Sequence, residues 1–85
     1  MNTFCFTKKA KRLFLKWDAA TQQRIREKLQ ELKKHPAIFS VLEPMIDMDP
    51  ATHRLRIGDY RLLLRDENDG MFLVLKVGHR REIYR

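Results

Sequence analysis

The segment HRLRIGDYRLLLRD, residues 53–66, and the run MFLVLKVG, residues 71–78, decide how this chain folds. His53–Ile57, Tyr60–Asp66 and Met71–Gly78 read as three strands, joined by Gly58-Asp59 and Asp69-Gly70, both pairs suited to tight hairpin turns. A two-residue turn at Gly58-Asp59 pairs Ile57 with Tyr60 and sets Arg56 opposite Arg61. A similar turn at Asp69-Gly70 pairs Arg65 with Val74, Leu63 with Lys76 and Arg61 with Gly78. Successive strand residues point to opposite faces, so one face collects Leu55, Ile57, Leu62, Leu64, Leu73, Leu75 and Val77 and must be covered. The other collects Arg54, Arg56, Arg61, Arg65 and Lys76. Leu63 and Val74 break the alternation on that second face, so it is not wholly solvated. A one-residue slip would move every side chain to the other face.

The covering layer lies N-terminal to the meander. Asn2–Phe6 reads as a short strand with Phe4 and Phe6 on one face, and Thr7 is placed to cap a helix. Ala10, Leu13, Phe14 and Trp17 then recur at i, i+3, i+4 and i+7, an amphipathic stripe. Asp18 breaks the stripe and is placed to cap a second helix, which carries Ile25, Leu29 and Leu32 and ends near His35-Pro36. Residues 37–52 have no period and read as an irregular connector. The expectation is an α+β fold in one domain, residues 1–85: an N-terminal strand, a helical hairpin, and a three- to four-stranded antiparallel sheet packed on the helices.

Composition bounds the function. An 85-residue chain has room for one compact unit, and 44% hydrophobic residues suit a folded domain better than a disordered one. The longest apolar runs fall well short of the about 20 residues that cross a bilayer. Neither a membrane anchor nor a signal peptide is expected. The single Cys5 excludes an internal disulfide and fits a reducing cytoplasm. The net charge of +7 points to a polyanionic partner. Residues 1–42 hold ten basic and three acidic side chains, seven of them lysines, whereas 43–85 hold eight of each and seven arginines. Lysine is a hydrated point charge and arginine a planar fork that binds phosphate bidentately. Diffuse attraction therefore maps to the helices and geometric recognition to the sheet.

Like charges directly opposite in a sheet are destabilising by a few tenths to about 1 kcal/mol per pair. Stacking Arg56 against Arg61, flanked by Arg54 and Arg65, implies an anion site, the plainer alternative being a wet basic face partly neutralised by Asp66 or Glu67. Gly78 permits a turn after the third strand, which would return Ile83 and Tyr84 as a short last strand and bring His79, Arg80 and Tyr84 beside Arg61. Cleaving RNA by attack of a 2'-hydroxyl on the neighbouring phosphate needs a base, an acid and cations for the developing phosphorane charge. Arginines meet the last need. Histidine is the side-chain type that titrates near neutrality, and a tyrosine phenol needs cationic neighbours to act. His35, His53 and His79 lack metal-ligand spacing, so no metal site is expected.

The runs Arg54-Leu-Arg-Ile-Gly-Asp-Tyr-Arg61 and Val77-Gly-His-Arg-Arg-Glu-Ile-Tyr-Arg85, in this order and spacing, closely resemble the RelE/ParE superfamily of bacterial and archaeal toxins. The resemblance implies a toxin of a type II toxin-antitoxin pair and, in the RelE branch, an endoribonuclease that cleaves the mRNA codon in the ribosomal A site without metal or cofactor. It further implies that Arg61 and Arg80 are transition-state arginines and that Tyr84 stacks on the scissile nucleotide. His79 is a further catalytic candidate, and Arg54, Arg56, Arg65, Lys76 and Arg81 are phosphate-binding candidates. The expected partners are a cognate acidic antitoxin, the ribosome and mRNA. A ParE-like inhibitor of DNA gyrase and a non-catalytic basic RNA-binding module are the alternatives. Two departures from the family stand out: Leu42-Glu43-Pro44 replaces the usual Leu-x-Gly, and no further helix follows Tyr84-Arg85.

Overall fold

The computed structural model describes residues 1–83. The chain runs β1 (Thr3–Phe6), α1 (Lys8–Phe14), α2 (Ala19–Lys33), a 3-10 turn (Ile38–Ser40), β2 (Glu43–Pro44), β3 (His53–Ile57), β4 (Tyr60–Asp66) and β5 (Met71–His79). The α+β reading holds, with two corrections to the sheet. It has five strands in the order β1-β5-β4-β3-β2, and it is mixed, because β1 runs parallel to β5 with Thr3 opposite Met71 and Phe6 opposite Val74. The connector supplies the fifth strand: Glu43 and Pro44 pair with Arg54 and His53. A third correction concerns the tail. In place of a returning strand, residues 80–83 form a tight turn in which the Glu82 and Ile83 N–H groups both donate to the His79 carbonyl, at 2.8 and 3.0 Å. Tyr84 lies outside the described residues.

Helix signals act locally, as the sequence implies. The Thr7 hydroxyl accepts from the Ala10 N–H at 3.1 Å, closing one orphan donor of α1. Asp18 precedes α2 in extended conformation but makes no side-chain cap. The far end of α2 is closed from a distance. Asn2, buried, donates its side-chain amide to the Leu32 and His35 carbonyls at 2.9 and 3.0 Å, so the start of the chain satisfies the end of the helix.

The core lies between the helices and one sheet face. Ala10, Phe14, Ile25 and Leu32 meet Leu55, Ile57, Leu62, Leu64, Phe72, Val74 and Val77, with Phe4 and Phe6 at the edge. Phe72 and Val74 belong here, and Leu73 and Leu75 do not, which reverses the expected parity at the start of β5. The cause is a bulge. From Arg61–Gly78 to Leu63–Lys76 the register follows the hairpin reading, but Leu64 then faces Val74 and Arg65 faces Leu73 in place of Val74, with Leu75 left over. One extra residue rotates everything N-terminal to it by one face. Leu75 instead packs with Ala51, Leu63, Met45 and Ile83 in a second, smaller cluster on the opposite face, which explains why Leu63 is buried there. Gly78 makes that cover possible, since a Cβ on it would stand 3.0 Å from Ile83 Cδ1.

Truncating Asn2 to Ala takes this donor from the part-buried His35 carbonyl and leaves the Leu32 carbonyl with the His35 N–H alone. The expected loss is about 1 kcal/mol in urea unfolding, the scale of lost intramolecular hydrogen bonds, with the transition still cooperative. A loss below a few tenths would show that the helix end is closed by other means.

Candidate functional site

The β3–β4 hairpin and the end of β5 carry the basic side chains. Gly58, at φ +60°, opens the two-residue turn, and its open side is filled by Arg24 of α2, whose Nη2 would meet a Cβ at 2.7 Å. Register then places Arg56 opposite Arg61, and Arg61 opposite Gly78. Tyr60 faces His79 across β4 and β5, and their rings meet edge-on at 5.7 Å, while Trp17, in the turn that follows α1, backs Tyr60 at 4.7 Å. The tail is fastened to the same hairpin. Arg80 donates its backbone N–H to the Asp59 carbonyl at 2.7 Å and sets its Nε 3.7 Å from the Asp59 carboxylate. Arg56, Arg61 and Arg80 thus lie round one turn, whereas His79, one residue on from Gly78, falls on the helix-facing side with Tyr60 and not beside Arg61 as expected.

Each of these guanidiniums rests on an acceptor of the same chain. Arg61 Nη1 donates to the Gly58 and Tyr60 carbonyls at 2.8 and 2.9 Å. Glu43 of β2 takes Arg56 Nε on one carboxylate oxygen at 2.8 Å and Arg54 Nη2 on the other. The hydrogen bond from Arg54, reinforced by the charges of Arg54, Arg56 and Arg61, holds the Glu43 carboxyl below its ordinary value against a smaller opposing effect of burial. The repulsion expected between Arg56 and Arg61 is therefore offset from an element read as a connector. Sequence reasoning overlooked Glu43 as a site residue. The available signal was the odd acid in Leu42-Glu43-Pro44, but strand parity cannot predict which distant residue pairs at an edge.

The other candidates divide. Lys76 sits opposite Leu63, two residues along β4 from Arg61 and on its face of the sheet. Arg81 is exposed in the tail turn, and its backbone N–H donates to His79 Nδ1 at 3.3 Å. Arg65 stands apart. It lies four residues along β4 from Arg61, about 13 Å at strand rise, and forks onto Glu67 at 2.8 and 3.1 Å. That pairing holds Glu67 below its ordinary value and raises Arg65. Asp66 accepts from the Asn68 N–H and shapes the turn instead of neutralising an arginine. Among the described residues no helix is long and apolar enough to cross a membrane.

The fold and this basic hairpin define a class, and comparison with known proteins fixes it. The family model for the ParE toxin of the type II toxin-antitoxin system parDE matches residues 6–84. Among solved structures, the toxin-antitoxin complex RelBE2 from Mycobacterium tuberculosis contains a chain 30% identical over 93% of this chain and 98% of that one, with TM-score 0.75. The isolated E. coli RelE toxin superposes with TM-score 0.69 at 20% identity over 99% of this chain and 92% of its own. An archaeal RelE-RelB complex from Pyrococcus horikoshii gives 0.70 at 19%, over 95% and 97%. No curated protein matches. The fold is RelE-like. The chain belongs to the RelE/ParE superfamily of type II toxins.

The depressed Glu43 carboxyl has a pH signature. Its charge contributes stability above the unfolded glutamate range, about 4.3, and that contribution is lost as pH falls through its lower folded value. Thermal melts of the parent and Glu43→Gln should differ most near pH 6, the parent melting higher, and converge toward pH 3. A gap that stays constant over this range would mean that the Glu43 charge is not what stabilises the edge.

Proposed function

We propose that the protein is a metal-independent endoribonuclease toxin that cleaves mRNA codons in the ribosomal A site. The observation that supports this reading is the placement of Arg56, Arg61 and Arg80 round the Gly58 turn. A toxin that acts only by protein contact has no need of several guanidiniums set round one turn. In the reaction the 2'-oxygen attacks the adjacent phosphorus, the 5'-oxygen leaves, and a 2',3'-cyclic phosphate results. Arg61 and Arg80 stabilise the added negative charge, Arg54, Arg56 and Lys76 hold flanking phosphates, and Tyr84 stacks on the nucleotide. His79 is the weaker candidate for proton transfer, because the Arg81 N–H engages its Nδ1 lone pair. The lysine-rich helices supply long-range attraction to the ribosome. An acidic antitoxin is the proposed partner, supported by the antitoxin complexes among the structural relatives. The ParE family match supports a second reading, gyrase inhibition without nucleolysis.

Primer extension on mRNA from expressing cells should show cuts within codons. On programmed ribosomes, Arg61→Ala or Arg80→Ala should lower single-turnover cleavage by about 10² or more, the scale of a lost transition-state donor, with ribosome binding retained. Normal cleavage by Arg61→Ala would sink the assignment, and intact mRNA with gyrase-linked DNA breaks would select the second reading.

Tyr84 and His79 are separated by their own variants. Tyr84→Phe should keep most activity if the ring stacks, whereas Tyr84→Ala loses a contact worth about 1–3 kcal/mol. His79→Gln costing more than Tyr84→Ala would make the turn histidine the catalyst.

A further inference from the structure

Among the described residues Glu43 is the carboxylate that pairs with two of the site arginines at once. Its two oxygens hold Arg56 Nε and Arg54 Nη2, and Arg61 acts on it through space. One negative charge against three positive ones leaves the cluster cationic. The strand that brings Glu43 there is only two residues long, held by its pairing with Arg54 and His53 and by Met45 N–H to the Thr52 carbonyl at 2.9 Å. Glu43 and Arg56 keep 40% and 57% of their side-chain surface, and an ion pair this exposed is weak and exchanges readily, whereas Arg54 keeps 22% and forms the more enclosed half of the pair. A phosphate oxygen would make the same hydrogen bonds to the same N–H groups.

Tethering decides which anion can take that place. A carboxylate fixed to the neighbouring strand acts at an effective concentration on the order of millimolar or above. A lone phosphate must compete with it at full strength. A polyphosphate backbone does not, because further charges can engage Arg61, Arg80 and Lys76 at the same time, and that combined attraction outweighs one carboxylate. We propose that Glu43 is a specificity residue: it occupies the Arg54–Arg56 pair and yields it only to a single-stranded RNA backbone held by the adjacent cations, so that free phosphate and mononucleotides are rejected. The proposal rests on the nuclease reading for the identity of the polyanion, but it concerns binding and not cleavage.

Three variants test it in binding assays on isolated protein. Fluorescein-labelled hexauridylate is titrated by anisotropy, and inorganic phosphate by its displacement of that probe. Glu43→Gln should tighten hexauridylate roughly five- to tenfold, the scale of removing one unit charge beside a bound anion, and tighten phosphate by more, so that discrimination between the two narrows. Glu43→Asp keeps the charge but is one methylene too short to hold both arginines, and should fall between. Asp69→Asn alters net charge equally at the other end of the sheet, in a turn whose φ of +56° asparagine tolerates, and should change neither ligand. Tightening by Asp69→Asn equal to that of Glu43→Gln would reduce the effect to net charge and overturn the proposal. So would Glu43→Gln binding no tighter than the parent with its far-UV circular dichroism intact, and should that variant not fold, the same result for Glu43→Asp decides. In the parent, the Arg56 Nε–H NMR resonance should shift as hexauridylate saturates, and an unmoved resonance overturns the exchange. Codon cleavage is scored separately, so a protein that never cuts RNA can still show this selectivity, and an active nuclease can lack it.

Discussion

Leu55 and Leu62 face each other across β3 and β4 with 2% and 0% of their surface exposed, and that buried pair forces Arg56 and Arg61 together one residue further along, on the opposite face. The two consequences cannot be separated, because strand side chains alternate. Any slip that parted the arginines would drive charged groups into the helix-facing core, at a cost far above the few tenths to about 1 kcal/mol of a like-charge pair. The register is thus set by apolar burial, and the cationic site is its reverse side. Gly58 serves the same register from the turn, where Arg24 of α2 fills the space a side chain would need.

The chain tolerates the crowded guanidiniums by giving each an internal acceptor: Glu43 for Arg54 and Arg56, two turn carbonyls for Arg61, and Asp59 for Arg80. These acceptors orient the forks without burying them, which keeps them available to an outside anion. The same economy shows at Asp59 and Tyr60, neighbours in the hairpin that fix the tail by a backbone hydrogen bond and a ring contact. This arrangement ties His79 and Arg80 to the sheet.

Family resemblance and physical reading agree on the sheet but carry different information about activity. The family model is a ParE toxin and the structural relatives include RelE complexes. A shared fold does not decide between these activities, which depend on the chemistry of particular side chains.

The sequence by itself determined the meander, the Gly58-Asp59 turn, the Arg56–Arg61 pairing, the Thr7 cap and the apolar faces of the helices, because each follows from neighbours within one turn or one strand pair. The second turn, by contrast, takes three residues, Asn68-Asp69-Gly70, between Glu67 and Met71 in place of the expected two. Tertiary structure decided the rest. Phe4 and Phe6 bury equally well in a parallel or antiparallel edge strand, so only the path of the chain through both helices made β1 parallel to β5. The run Phe72-Leu-Val-Leu75 is apolar throughout and carries no parity, so the bulge that turns Phe72 and Val74 into the core is chosen by packing against Phe4, Leu64 and the helices. Arg65 shares the arginine face by alternation, yet its reach along β4 and its fork onto Glu67 remove it from the site. Glu43 looks inert in sequence because its partners lie 11 and 13 residues away, and an edge pairing that distant leaves no local period to read.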